Sequence, residues 1–315
     1  MDTTTTTHEA LGASVDDAAQ RLAAAGYVPS PEIATVTWLA TQLERPLLVE
    51  GPAGVGKTSI AAALARVSGR PLIRLQCYEG LDEAKALYEW EYAKQLLYTQ
   101  LVRDQVSARL ADATSIEEAM EIIAADESAF FHERFLLPRP LLQAIREPHG
   151  AILLIDEIDK ADAEFEAFLL ELLSDFQVTI PELGTFHAEV RPWVVLTSNR
   201  ARELSEALKR RCLHLYIDFP DQAREREIVA THLPELPDQL NAALVAFVQG
   251  VRELDLRKLP SISESIDWAR ALLVLGAERL DPRLVQETLG ALLKYEEDRD
   301  LVSERLDELP GLAPQ

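Results

Sequence analysis

Cysteine is almost missing from these 315 residues: only Cys77 and Cys212 occur, far apart, too few for a disulfide framework or a CxxC metal site. Both read as small buried hydrophobes, and a reducing cytoplasm is the expected location. Basic residues are also scarce, 31 Lys and Arg against 53 Asp and Glu, a formal charge of −22 that repels phosphate backbones and anionic membrane surfaces. Nucleic acid is therefore not the expected partner, and the surplus acid reads as solvated surface. Apolar runs are short: Ala151 to Ile155 and Ala271 to Leu275 fall far below the ~18 residues of a membrane span, so no membrane insertion is expected. The opening stretch Met1 to Ala10 is Thr-rich, with no cationic or apolar region of a secretory signal, and reads as a frayed extension.

What is there suffices for a core, since 48% of the residues are hydrophobic. Apolar positions recur at helical spacing from Val15 to Ala25, and Ser30-Pro31-Glu32 reads as an N-cap followed by Pro at the first helical position of a helix through Leu43. Short apolar runs at Pro46 to Val49, Pro71 to Gln76, Ala151 to Ile155 and Trp193 to Thr197 alternate with helical patterns, the rhythm of a parallel sheet covered on both faces. The expected class is α/β. Between Leu81 and Ile145 the pattern is helical, Asp82 to Leu110 and then Ile116 to Ala125, longer than one crossover needs and suggestive of an insertion. After Phe219-Pro220 the strands stop. Helices are expected at Ala223 to Leu233, Pro237 to Val251, Ser263 to Leu275 and Pro282 to Asp298, which divides the chain into an N-terminal extension and helix (1–26), an α/β core (27–220) and a helical C-terminal part (221–315).

The octapeptide Gly51-Pro52-Ala53-Gly54-Val55-Gly56-Lys57-Thr58 matches GxxxxGK[ST] between an apolar run and a helix, the context a P-loop requires. Its glycines let the backbone turn so that N–H groups face phosphate oxygens, with the helix N-terminus adding its dipole. Lys57 would bridge β- and γ-phosphates, the Thr58 hydroxyl would hold Mg²⁺, and Ser59 follows on the same helix as a further nucleotide contact. Downstream, Ala151-Ile-Leu-Leu-Ile-Asp156-Glu157 is an apolar strand ending in two acids, a Walker B pattern. Asp156 would hold the metal through water and Glu157 would polarise the attacking water. A third strand ends in Ser198-Asn199, where Asn199 would orient water or touch the γ-phosphate. The run Lys209-Arg210-Arg211-Cys212 is unusual in so acidic a chain; by itself it also fits a solvated turn or a helix C-cap.

These elements, in this order and spacing, resemble the AAA+ ATPases: a P-loop core with a parallel sheet flanked by helices, plus an all-α lid. Within that group the segments Leu75-Gln-Cys-Tyr-Glu-Gly-Leu81, Phe135-Leu-Leu-Pro-Arg-Pro-Leu-Leu142, Asp156-Glu-Ile-Asp-Lys160, Phe168 to Gly184, Thr197-Ser-Asn-Arg200 and Ala207-Leu-Lys-Arg-Arg-Cys212 resemble the MoxR branch, especially the ATPases that accompany carbon monoxide dehydrogenase maturation. The resemblance covers residues 27 to 276. It implies ATP and Mg²⁺ as cofactors and a ring homo-oligomer, taken as a hexamer. It also implies a protein client, a partner with a von Willebrand factor A domain and a chaperone-like role.

By the same resemblance Asn199 corresponds to sensor 1 and Arg211 to the arginine finger that reaches a neighbouring subunit's ATP, with Arg210 as the alternative. Tyr27-Val-Pro-Ser30 stands where the family contacts adenine. Ser263 stands where the family places a sensor 2 arginine, leaving Arg257 or Lys258 as substitutes. The stretch Val178 to Val190 reads as a hairpin that either covers the core or, as in relatives, meets substrate; His187 on it is isolated. The expected activity is Mg-dependent ATP hydrolysis that remodels or matures a protein client, a metalloenzyme being one such client. The competing readings are a nucleotide-dependent switch with little turnover, which would not need Glu157, Asn199 and Arg211, and a small-molecule kinase, which does not account for sensor, finger and lid.

Overall fold

The structure, a computed structural model, describes residues 11–98, 100, 115, 132–181 and 183–312. Two helices open it, α1 (Val15–Ala24) and α2 (Pro31–Gln42). Serines start both: Ser14 accepts the Asp17 N–H and Ser30 the Ile33 N–H, each at 3.2 Å, satisfying amides that a helix start leaves orphaned. Strand β1 (Leu47–Glu50) follows, then α3 (Lys57–Ser68) and β2 (Leu72–Gln76).

Where a long helix is expected from Asp82, the chain instead makes α4 (Glu83–Leu87) and a strand β3 (Tyr88–Trp90), which pairs antiparallel with β4 (Leu136–Pro138). The physical reason is the aromatic alternation Tyr88-Glu-Trp90: Trp90 goes into the core, 8% exposed, and a distant segment supplies the hydrogen-bond partners. Residues 92–98 are helical again. The rest of that expected stretch, including Ile116 to Ala125, lies outside the described residues except for positions 100 and 115.

The chain continues through α5 (Pro140–Arg146), β5 (Ile152–Asp156), α6 (Ala163–Asp175), the hairpin β6 (Gln177–Ile180) and β7 (Gly184–His187), β8 (Trp193–Ser198), α7 (Glu206–Arg211) and β9 (Leu213–Tyr216). The central sheet is parallel throughout, in the order β2-β5-β8-β1-β9. The inner strands β1, β5 and β8 are apolar at nearly every position because both faces are covered, whereas the edge strands β2 and β9 carry exposed polar residues. Leu48, Leu153, Ile155 and Leu196 pack under α5, α6 and α7; Leu47, Val49, Ile152, Leu154 and Val195 pack under α1, α2 and α3. Parallel pairing has one consequence for function. Glu50, Gln76, Asp156 and Ser198 arrive together at the carboxyl edge, while Leu47 and Leu213 begin side by side at the amino edge. Val178 and Ile180 of the hairpin are buried in the core, so that stretch covers the sheet.

The C-terminal helices are α8 (Gln222–His232), α9 (Asp238–Arg252), α10 (Ile262–Val274), α11 (Pro282–Leu292) and α12 (Glu296–Glu304). The single helix expected over Pro282 to Asp298 is two, because Leu293 turns extended and is buried (2% exposed) between them. These helices bury their own cluster around Phe247 and Trp268, whose ring centroids lie 5.4 Å apart. Within it Arg252 and Glu225, 6% and 0% exposed, form a bidentate pair at 2.6 and 2.7 Å. Breaking such a pair leaves a buried charge uncompensated, at a cost of about 3–5 kcal/mol. Arg252 also donates to the Pro260 carbonyl at 2.8 Å and lies over the Phe219 ring, so the pair fixes the turn before α10 to the end of the core. Among the described residues, no helix is long and apolar enough to cross a membrane.

Candidate functional site

The loop after β1 explains its own glycines. Gly51 has φ +149° and would place a Cβ 1.9 Å from the Ile217 carbonyl oxygen, so the loop can leave the sheet only with glycine there. Gly54, at φ +75°, would place a Cβ 2.2 Å from Ser261 Oγ, so the helical part seats directly on the loop. Gly56, left-handed at φ +91°, caps α3. Pro52 is half-buried, Ala53 exposed and Val55 buried. Gly54, Val55, Gly56 and Ser59 line a cleft of about 420 Å³, closed on the other side by Tyr27, Val28, Ile217, Ser263, Ile266 and Arg270.

Lys57 is buried, and its ammonium donates to the Gly51 and Pro52 carbonyls at 2.8 and 2.6 Å and to Asn199 Oδ1 at 2.7 Å. Burial pulls its pKa down, opposed by the charges of Asp159, Asp156 and Glu157. All three of its donors thus rest on acceptors that phosphate oxygens can replace.

Asp156, 3% exposed, ends β5 facing α3. Its Oδ1 accepts from Thr58 Oγ1 at 3.2 Å and Thr197 Oγ1 at 2.5 Å; its Oδ2 accepts from Arg74 Nη2 at 2.5 Å. A hydroxyl and a carboxylate are the hard oxygen donors Mg²⁺ takes, and the guanidinium already marks the spot as one for positive charge. No cluster of three or more metal-binding side chains exists among the described residues, so phosphate oxygens and water would complete the coordination.

Glu157 is the next residue and turns left-handed, φ +57°, a conformation that costs a non-glycine residue about 1–3 kcal/mol. Its N–H is held by Thr197 Oγ1 at 2.9 Å. The carboxylate accepts from Asn199 Nδ2 at 3.2 Å, Gln76 Nε2 at 2.8 Å and Lys160 Nζ at 2.6 Å. Lys160 is raised in pKa by that bond and by the Glu157 charge. Asn199 in turn is set by Asp159, whose Oδ2 accepts the N–H groups of Asn199 at 3.1 Å and Ala201 at 2.8 Å.

The structure therefore brings Lys57, Thr58, Asp156, Glu157 and Asn199 into one hydrogen-bonded group at the carboxyl edge. Arg210 and Arg211 are not part of it. They occupy the last turn of α7, where Arg45 donates to the carbonyls of Arg210, Arg211 and Cys212 at 2.5, 3.2 and 3.2 Å, and Leu213 pairs with Pro46 at the amino edge. From Pro46 to Gly51 is five residues of strand, roughly 16 Å at ~3.3 Å each, farther than one arginine side chain spans. Both side chains are exposed, and among the described residues neither guanidinium has a hydrogen-bond or ion-pair partner.

Arg257 and Lys258, the possible substitutes for sensor 2, point elsewhere: Arg257 lies over the Tyr295 ring, 4.2 Å to the centroid, and Lys258 pairs with Glu264 at 3.0 Å. The arginines that do line the cleft are Arg66, Arg224 and Arg270. Sequence reading also missed Arg74, Gln76, Thr197 and Asp159. Only the register of β2 and β8 against β5 puts the first three beside the acids, for example Gln76 opposite Asp156. Glu50 is a further unexpected group: burial pushes its carboxyl up, and His214 at 2.8 Å and Arg200 at 3.0 Å more than offset this, leaving it below the ordinary range.

Residues 46–212 match the profile of a family described as AAA domain (dynein-related subfamily). Gas vesicle ATPase GvpN of Haloferax mediterranei is 26% identical over 240 residues, 71% of this chain and 63% of that protein. Protein NorQ of Paracoccus denitrificans is 26% identical over 211 residues, 65% of this chain and 64% of that protein. The chain thus spans a little under two thirds of the length of these curated relatives. Among solved structures, the Thermotoga maritima RuvB Holliday junction branch migration motor superposes with a TM-score of 0.45 at 16% identity, covering 94% of this chain and 79% of that one.

Proposed function

From a chain that belongs to the AAA domain family (dynein-related subfamily) and is of MoxR type, we infer an ATPase that binds Mg-ATP in the cleft between core and lid and hydrolyses it within a ring of identical subunits, taken as a hexamer. The core is residues 27–220, the lid and C-terminal helices 221–315, and residues 1–26 precede them. The observation that carries this reading is the hydrogen-bonded group of Lys57, Thr58, Asp156, Glu157 and Asn199 on one sheet edge.

The chain's own residues divide the work. The loop Gly51 to Thr58 and Ser59 receive the phosphates through the backbone N–H groups that every residue but Pro52 carries, and Lys57 exchanges its three protein acceptors for phosphate oxygens. Thr58 and Asp156 would hold Mg²⁺, which supplies charge neutralisation at the β- and γ-phosphates. Glu157 accepts the proton of the attacking water, and Asn199, bonded to both Lys57 and Glu157, holds base and phosphate end in register. Arg211, with Arg210 as alternative, serves the neighbouring subunit's γ-phosphate, because it stands unpaired and too far from its own P-loop.

We extend the reading to a protein client, remodelled or matured with the help of a partner carrying a von Willebrand factor A domain; a metalloenzyme such as carbon monoxide dehydrogenase is the target class that the resemblance suggests. Two buried free thiols suit a reducing cytoplasm. Lys57→Ala tests the nucleotide site: calorimetry should show loss of measurable ATP binding, and retained wild-type affinity would refute the assignment.

A further inference from the structure

We propose that Arg74 is a built-in competitor of the metal ion, holding the Asp156 oxygen that Mg²⁺ would draw on until Mg-nucleotide displaces it. The proposal rests on the reading that Asp156 and Thr58 serve the metal.

The two oxygens of Asp156 are treated differently. Oδ1 is held by two neutral hydroxyls, Thr58 and Thr197, which bring no counter-charge to the carboxylate. Oδ2 has one partner, the Arg74 guanidinium at 2.5 Å. The Asp156 side chain is only 5% exposed, and a carboxylate so buried needs a counter-charge. Without a metal, Arg74 is the only cation that donates to it among the described residues.

The donor is built to leave. Arg74 sits on β2, one of the two edge strands of the sheet, and its side chain is 54% exposed, so on release it regains water rather than opening a cavity. Its second bond is to Gln76 Oε1 at 2.6 Å, on its own strand and also exposed, so letting go of Asp156 does not require the sheet to move. An arginine meant as a permanent strut would be boxed in, as Arg252 is at 6% exposed with four hydrogen bonds to Glu225, Pro260 and Ser265. Arg74 has the opposite character: one partner buried, itself in solvent. A metal ion held by Asp156, directly or through water, competes with the guanidinium for the same negative charge and repels it, so arrival of the metal favours departure of Arg74.

The test is Mn²⁺ binding to the full chain with ADP, followed by electron paramagnetic resonance, for the natural protein, Arg74→Gln, Lys160→Gln and Asp156→Asn. Arg74→Gln should tighten Mn²⁺ roughly twofold to fivefold, the scale of a half-exposed ion pair. Lys160→Gln removes an equal charge close by, without a bond to Asp156, and should change affinity less than twofold. Unchanged or weaker Mn²⁺ binding by Arg74→Gln overturns the proposal, as does equal tightening by both variants, which would make the effect one of bulk charge. Asp156→Asn separates the two levels: if it binds Mn²⁺ as the natural protein does, the metal-site reading itself fails; if it loses Mn²⁺ while Arg74→Gln is unchanged, only the role of Arg74 fails.

Discussion

The two ends of the central sheet hold opposite kinds of charge arrangement. At the carboxyl edge every charged group has found a partner within the chain: Lys57 on carbonyls and Asn199, Asp156 on Arg74, Glu157 on Lys160. At the amino edge Arg210 and Arg211 stand in solvent without a side-chain partner among the described residues, although the chain carries 53 acidic groups against 31 basic ones. In so acidic a protein, unpaired arginines next to each other need a reason. One end of the sheet carries the proposed nucleotide site; the other offers a charge with no partner among the described residues of the same chain. In the proposed ring, one end of each copy would meet the other end of its neighbour, which would account for both.

Removing the free charge should have the largest effect. Arg211→Ala should lower turnover of the assembled protein about 10³- to 10⁵-fold while leaving ATP affinity within a factor of two, measured by phosphate release and calorimetry. A comparable loss of affinity would place Arg211 in nucleotide binding and blur the contrast between the edges. On the carboxyl edge, Glu157→Gln should retain ATP but turn it over roughly 10²- to 10⁴-fold more slowly, since the amide cannot take a proton. Single-turnover kinetics would expose a base elsewhere if the chemical step kept its speed.

A smaller effect is expected from Arg45, which touches no nucleotide. It donates to the carbonyls of Arg210, Arg211 and Cys212, and each such bond is worth about 0.5–1.5 kcal/mol. Arg45→Met should therefore let the last turn of α7 fray and cost roughly tenfold in assembled turnover, with ATP binding untouched. Undiminished turnover would mean the arginines need no such support. The smallest effect concerns the core on which both edges rest. Burial pushes the Cys77 and Cys212 thiols up to about 12, so the folded protein should resist alkylation at pH 8 and react fully in denaturant. Fast labelling of Cys212 alone would show that the amino edge opens on its own.

Legibility in the sequence followed how local each feature is. The P-loop is one contiguous octapeptide, and the acids Asp156 and Glu157 end an apolar run, so both could be read in place. The inner strands of the parallel sheet were readable because they are buried on both faces and lack alternation. Arg74, Gln76 and Thr197 were invisible because their roles come from β2 and β8 lying beside β5 in register, and a charged or polar residue in a strand carries no such mark locally. The helix expected from Asp82 failed for the same cause: Tyr88 to Trp90 finds its partner in Leu136 to Pro138, a pairing that local propensity cannot foresee. Asp159 was quoted within a motif, yet its task of holding the Asn199 backbone needed the loop geometry. In the lid, Arg257 and Lys258 were near enough in sequence to be considered, and only their partners Tyr295 and Glu264 turn them away.

The most direct test of completion between chains is to mix Arg211→Ala with Glu157→Gln in equal amounts and measure phosphate release at a concentration where the natural protein is fully active. In a mixed ring some sites pair an intact Glu157 with an intact Arg211 from the neighbour, so turnover should rise well above the sum of the two variants alone. Turnover that stays at that sum, with mixed assemblies verified by mass, would contradict an arginine acting across the subunit boundary.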